Sequence, residues 1–348
     1  MATIQDVVRL SGVSVATVSR VLHDSPNVLP ATREKVLAAI KELDYRPNRL
    51  AQQFRTQRTM IVLVLLPRLG DSFYSEILRG IEAVAADAGY HILVANTGNR
   101  VEAESYYYEN LIQKQIDGII DFAACLPKEY MEEIAAEHPV VVACRYLSDA
   151  KLPNVTIDNL AASQEMTEYM LNLGHQRIAY IGGNTALALY RSRLYGYQQA
   201  LEGRGIPIDE HIVCTAEPEI QGGYDAATQL LRAGAEFTAI VTSGDTLAIG
   251  AIRALQDRGL RVPEDVAVCG FDDIEMSSLL NPTLTTVRQP RNLIGRSSMD
   301  KLLGRISGQD DNPSEQIVLP YELVIRASSG RFRMQEESPS AGPAGRLI

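Results

Sequence analysis

Cysteine is scarce in this chain. Cys125, Cys144, Cys214 and Cys269 are spread along 348 residues with no CxxC pair, which argues against a thiolate metal site or a disulfide framework and predicts buried free thiols. Long apolar runs are missing as well. None reaches the ~18 residues of a membrane span, and the opening "MATIQDVV" has neither the basic start nor the apolar centre of a signal peptide, so a cytoplasmic location is expected. The strings that mark common catalytic sites are also absent. "YIGGNTALA" offers two glycines without the GxGxxG spacing, and no P-loop, HExxH or GxSxG occurs. The five histidines are scattered, and His175, just before a strand-like run, is predicted to be structural. No enzyme, cofactor or metal centre is expected.

Length and charge organise what is present. A chain of 348 residues exceeds one hydrophobic core, since single cores stop growing at roughly 250–300 residues. Residues 1–59 carry nine Lys or Arg against five acids, a net +4, whereas the whole chain is −10 and the remainder therefore −14. A basic head on an acidic body points to a polyanion as partner of the head alone.

The head reads as three helices. Thr3 and Asp6 have capping-box spacing before Ile4, Val7, Val8 and Leu10. Gly12 breaks this run, and Ser14 can cap a second helix over Val15–Leu22, with Val18, Val21 and Leu22 on one side. Pro30 suits the first turn of a third helix over 31–43, with Val36, Leu37 and Ile40 facing inward. Three helices with a glycine turn between the first two match the helix-turn-helix plan, whose second helix enters the major groove. On that reading the outer face must be small and carry few donors. Arg20 can bond two guanine acceptors, Val15 and Ala16 can touch a thymine methyl, and Ser14, Thr17 and Ser19 can reach phosphates. A small helical bundle for protein contacts is the alternative.

Beyond the head, short apolar runs at 60–66, 91–96, 118–123 and 140–144, then at 177–182, 238–243 and 266–271, alternate with helical stretches such as 76–88. Continuous apolar strands between amphipathic helices predict parallel sheets covered on both faces, here two doubly wound α/β lobes. In such lobes ligands sit at the carboxyl ends of strands, and the cleft between lobes is the default site. The candidate effector-binding residues are Phe73 and Tyr74, whose rings can stack on a flat face or form a hydrophobic staple, and Asp245 and Asp272 at strand ends. Asp245 can equally cap its helix. Arg145, Tyr190 and Gln289 are further candidates.

The stretch from "MATIQDVVRLSGVSVATVSRVL" to "YRPNRLA", with "GIEAVAADAGY", "IDGII", "TIDN", "GHQRIAYIGG", "VPEDVAVCGFDD" and "PTLTTVRQP", resembles the lactose repressor (LacI/GalR) family over about residues 2–326. Its layout is closest to the cytidine and purine repressors. The resemblance implies a helix-turn-helix domain at 1–45, a hinge helix or linker at 46–58, and a periplasmic-binding-protein-like body at 59–326. Lobe 1 would take 59–158 and 288–320, lobe 2 would take 159–287 and 321–326, and a disordered tail would follow from 327 to 348. It also implies a homodimer on near-palindromic double-stranded operator DNA. The switch would be a small-molecule effector, with a regulatory protein partner as a further option. DNA contacts extend by this resemblance to Thr3, Asn27, Tyr45, Asn48, Ala51, Phe54 and Arg55, and the clamp on the effector falls on Arg193. Phe54 stands where the family usually has a leucine wedge, and an aromatic ring can also unstack a base step; packing of Phe54 on the body is the other reading. Leu187 and Leu189 replace polar ligand residues of the purine repressor, which favours a neutral nucleoside or sugar without separating the two. A solute-binding protein of the periplasmic type remains the rival class.

Overall fold

The computed structural model describes residues 2–22, 25–45, 58–145 and 151–330. The chain divides into two units, residues 1–59 and 60–348.

In the first unit, α1 (Ile4–Ser11), α2 (Val15–Leu22) and α3 (Pro30–Glu42) enclose a core of Val7, Val18, Val21, Val36 and Ala39. The Thr3 hydroxyl accepts from the Asp6 amide at 3.3 Å while the Asp6 carboxylate accepts from the Thr3 amide at 2.9 Å, so both ends of the capping box close. These hydrogen bonds hold the Asp6 carboxyl below its usual range. Gly12 ends α1 at φ +70°, a conformation that costs a residue with a Cβ about 1–2 kcal/mol. One expectation fails here. Leu37 is 49% exposed, because the buried stripe of α3 runs through Val36 and Ala39 and leaves its neighbour turned outward.

The second unit holds two sheets. The first has the order β11-β5-β4-β3-β1-β2, built from β1 (Ile61–Leu66), β2 (His91–Asn96), β3 (Gly118–Asp121), β4 (Val140–Ala143), β5 (Asn154–Ile157) and β11 (Gln316–Leu319), all parallel. The second has the order β12-β10-β9-β8-β6-β7, from β6 (Ile178–Gly182), β7 (Val213–Thr215), β8 (Ala239–Thr242), β9 (Ala267–Asp272), β10 (Thr285–Arg288) and β12 (Glu322–Val324), with only β12 antiparallel. Successive strand residues feed opposite cores. Val62, Val64 and Leu66 join one cluster and Leu63 and Leu65 another, the period of two that makes these runs continuously apolar.

The helices of this unit are α4 (Phe73–Asp87), α5 (Val101–Ile112), α6 (Lys128–Glu137), α7 (Asn159–Asn172), α8 (Ala188–Gly203), α9 (Ile220–Arg232), α10 (Asp245–Asp257) and α11 (Arg291–Ser307). The chain passes between sheets three times: after β5, after β10 and between β11 and β12. In each sheet the strand order reverses, beside β1 in the first and β6 in the second, and such reversals open a crevice at the carboxyl ends.

Two sequence expectations need correction. "HILVAN" forms an edge strand, not a covered one, with Leu93 and Val94 exposed. The disordered tail was expected from residue 327, yet Ala327–Ser329 form a 3-10 turn. Ser328 accepts from the Thr285 amide at 2.8 Å and donates to the Val268 carbonyl at 2.6 Å, and the Ser329 hydroxyl lies 2.7 Å from Thr285 Oγ1. Hydroxyls that looked like low-complexity sequence satisfy the edge of β10. Residues 331–348 lie outside the described residues.

Candidate DNA-reading face and effector cavity

On the head, α2 buries Val18 and Val21 and turns Val15, Ala16 and Arg20 to the surface. Ser14 opens the helix, its hydroxyl accepting from the Thr17 amide at 3.3 Å and lying 3.0 Å from Thr17 Oγ1. Ser14 is therefore partly engaged by its own helix. Ser19 and Thr17 are half-buried, and Asn27 is exposed. Tyr45 packs on the head core, which leaves only part of it for a partner. Asn48, Ala51, Phe54 and Arg55, with nearly all of the expected hinge, lie outside the described residues.

In the body, the carboxyl ends of both sheets converge on one cavity. It is lined by Phe73, Tyr74, Arg145, Tyr190, Arg193, Asp272 and Gln289, seven of the eight sequence candidates. Phe73 and Tyr74 stand edge to face at 5.2 Å, and Tyr74 meets Phe122 in the same way at 5.6 Å. Their position at the start of α4, directly after the Asp71 turn that receives the Phe73 amide at 3.0 Å, fixes the rings at the cavity wall. Arg193 comes from α8. Its guanidinium carbon lies 3.6 Å over the Phe271 ring, its Nε donates to Asn159 at 3.0 Å, and its Nη1 donates to the Ser243 carbonyl at 2.6 Å and to Asp272 at 3.4 Å. Gln289 donates to the same Asp272 oxygen at 2.7 Å. Burial raises the Asp272 carboxyl to about 6, with Arg193 opposing the rise. Its backbone φ of +112° is strained for a residue with a Cβ.

Arg145 enters from the end of β4. Nε donates to the Phe122 carbonyl at 3.0 Å and Nη2 to Asn99 at 3.3 Å, while the buried Nη1 has no hydrogen-bond partner. The loop that receives Nε is held from behind by two buried acids. Asp121 accepts from Tyr108 at 2.9 Å and from the amides of Ala123 and Ala124, and Glu104 accepts from the amides of Cys125 and Leu126. The two carboxyls lie close enough to shift each other's titration. Burial first, and the neighbouring Asp121 charge second, push Glu104 up to about 8, so the pair retains one proton at neutral pH.

Asp245 is the exception among the candidates. It is fully buried and outside the cavity lining, its Oδ2 accepting from the Ile274 amide at 2.9 Å and Ser277 at 2.6 Å, its Oδ1 from Thr286 at 2.6 Å. It does not cap α10 either, since Gly244 holds that position. Its carboxylate ties α10 to the loop after β9 and to β10.

Residues missed from the sequence include Arg68, Phe122, Cys144 and Ser243. Each lies one or two positions past the end of β1, β3, β4 or β8, so strand ends alone would have found them. Arg68 also bridges the lobes, donating to the Pro218 carbonyl at 2.9 Å and to Glu219 at 3.3 Å. His175 lies 2.9 Å from Thr238 Oγ1, away from the lining. Among the described residues no cluster of His, Cys, Asp or Glu could hold a metal, and no helix is long and apolar enough to cross a membrane.

Comparison with known proteins gives this geometry a lineage. The pattern described as "Bacterial regulatory proteins, lacI family" matches residues 3–48, and that of "Periplasmic binding proteins and sugar binding domain of LacI family" matches 59–327. The chain is 36% identical over 329 residues to the HTH-type transcriptional repressor CytR of Escherichia coli K12, covering 94% of this chain and 96% of that protein. It is 35% identical over 329 residues to catabolite control protein A of Priestia megaterium, covering 94% and 99%. Its fold is similar to that of the lac repressor dimer bound to operator and the anti-inducer ONPF, with TM-score 0.85 and 30% identity over 95% of this chain and 99% of that one. With both patterns and full-length relatives in agreement, the chain belongs to the LacI family of bacterial transcriptional regulators.

Proposed function

We propose that this protein is a ligand-responsive repressor that binds a near-palindromic operator as a homodimer in the cytoplasm and changes its operator affinity when a small neutral effector occupies the cavity between its lobes. The observation that carries the reading is the outer face of α2, which sets Val15, Ala16 and Arg20 on the surface of a basic unit while Val18 and Val21 hold the helix from behind. Small side chains allow close approach to base edges, and one exposed guanidinium supplies a two-pronged donor for guanine. Exposed apolar residues on the body support a second copy as partner, including Leu93 and Val94 on β2 and Leu279, which is 76% exposed. Two copies double the base contacts and set operator symmetry.

For the effector, aromatic rings beside Arg145, Arg193 and Asp272 suit a flat or hydroxylated neutral molecule, a nucleoside or a sugar. The cavity has about 50 Å³, and Arg68 of one lobe reaches Pro218 and Glu219 of the other beside it. In this reading an effector that occupies the cavity changes the angle between the lobes and breaks the Arg68 bridge, and that motion changes operator affinity.

Selection from a randomised oligonucleotide pool with the full chain tests this reading, with a palindrome of two half-sites as the expected product. Arg20→Ala should then weaken operator binding about ten- to a hundredfold and relax preference at one guanine per half-site. A uniform loss over all base changes would make Arg20 a phosphate contact, and no enrichment by the full chain would refute the reading.

A further inference from the structure

A second cavity, of about 280 Å³, lies where the chain leaves the first sheet for the second. Thr156, Ile157 and Asp158 form one wall at the end of β5, Asn159 opens α7, Ser192 comes from α8, and Val318 from β11 stands beside Thr156 in the sheet register. This volume is close to the ~300 Å³ at which small-molecule sites begin.

The lining selects a chemical class. Among the described residues Asp158 is its one ionisable group, with Oδ1 accepting from the Ala161 amide at 2.9 Å. Hydroxyls and an amide come from Thr156, Ser192 and Asn159, and an apolar floor from Ile157, Leu160 and Val318. Among the described residues no basic side chain lines it.

From the carboxylate, the apolar floor and the absence of a cation among the described lining residues, we infer that this cavity is a second ligand site, for a small organic ammonium ion with an apolar body. An anion is repelled by Asp158, and a neutral alcohol forgoes the charge-assisted bond. The site also touches the first one. Asn159 lines this cavity, and its Oδ1 receives Arg193 Nε at 3.0 Å. Its own amide nitrogen holds only Thr156 Oγ1 at 3.4 Å and the Ile157 carbonyl at 3.2 Å. A ligand that recruits the Asn159 amide therefore reorients the acceptor of Arg193, coupling the two cavities through one side chain.

Three probes of similar shape and different charge test the assignment on the full chain: cyclohexylammonium, cyclohexanol and cyclohexanecarboxylate, followed by calorimetry and by the 15N resonance of Arg193 Nε. The ammonium should bind about tenfold more tightly than the alcohol, the carboxylate should not bind, and the Arg193 resonance should move on ammonium binding. Asp158→Asn keeps an effective N-cap and should weaken the ammonium about tenfold. Ser192→Trp, checked for native melting, should abolish binding by filling the space. Equal affinity for all three probes, no binding of the ammonium by ~10 mM, or binding unchanged in both variants overturns the proposal.

Discussion

Asp245→Ala is expected to lower the melting temperature of the body by about 10 °C, the equivalent of roughly 3–5 kcal/mol. The carboxylate receives the Ile274 amide and the hydroxyls of Ser277 and Thr286 inside a fully buried site. Truncation leaves those donors without their acceptor, and each unsatisfied buried donor costs about 1–3 kcal/mol. The site is shaped around this group, since a Cβ on Gly270 would come 2.1 Å from Asp245 Oδ1. Thermal melts with parallel effector titrations decide the role. A variant that melts like the parent but loses its effector would return Asp245 to the ligand-binding set.

The second large effect is on pH. Glu104 has an ordinary value of 4.5 and is raised to about 8 in the fold, chiefly by burial and then by the charge of Asp121. The folded chain thus keeps a proton that the unfolded chain releases, so stability falls as pH rises from about 4.5 to about 8 and levels off above. The loss is on the order of 3 kcal/mol, or about 5–10 °C in melting temperature. Asp245, raised to about 7, and Asp272, raised to about 6, titrate inside the same window and add to the slope. Glu104→Gln separates them. Its amide keeps an oxygen for the Cys125 and Leu126 amides and offers Asp121 a donor, so the variant should lose markedly less stability than the parent between about pH 5.5 and pH 8.5. Parallel curves for the two proteins would mean that the acid pair carries no such proton.

These two acids also illustrate what a sequence can and cannot display. The head was legible almost residue by residue, because caps, a glycine stop and a 3.6-residue apolar period are local signals; Leu37 slipped through since periodicity cannot tell adjacent positions at the edge of a stripe. The central strands were legible as apolar runs. β5 and β10, with Asn154, Thr156, Thr285 and Thr286 buried among their few residues, were not, because buried polar side chains break the apolar run; those of Thr285 and Thr286 are satisfied by Arg326, Ser329 and Asp245, about 40 residues away. The cavity followed from strand ends, which placed Asp272 at the lining and, by the same reasoning, misplaced Asp245. At the end of a strand or in the turn after it, the side chain can face the cleft or lie beneath the next helix, and Ser277 and Thr286 decide that for Asp245 from about 30 and 40 residues away. Glu104, on a helix with three tyrosines, gave no hint of its buried partner.

The linkage between cavity and head is best tested by operator affinity of the full chain at fixed salt, measured with and without nucleosides and sugars. At least one should change that affinity about tenfold or more, with the change lost in Arg193→Ala. A compound that raises the melting temperature of the protein yet leaves operator affinity the same would contradict the account.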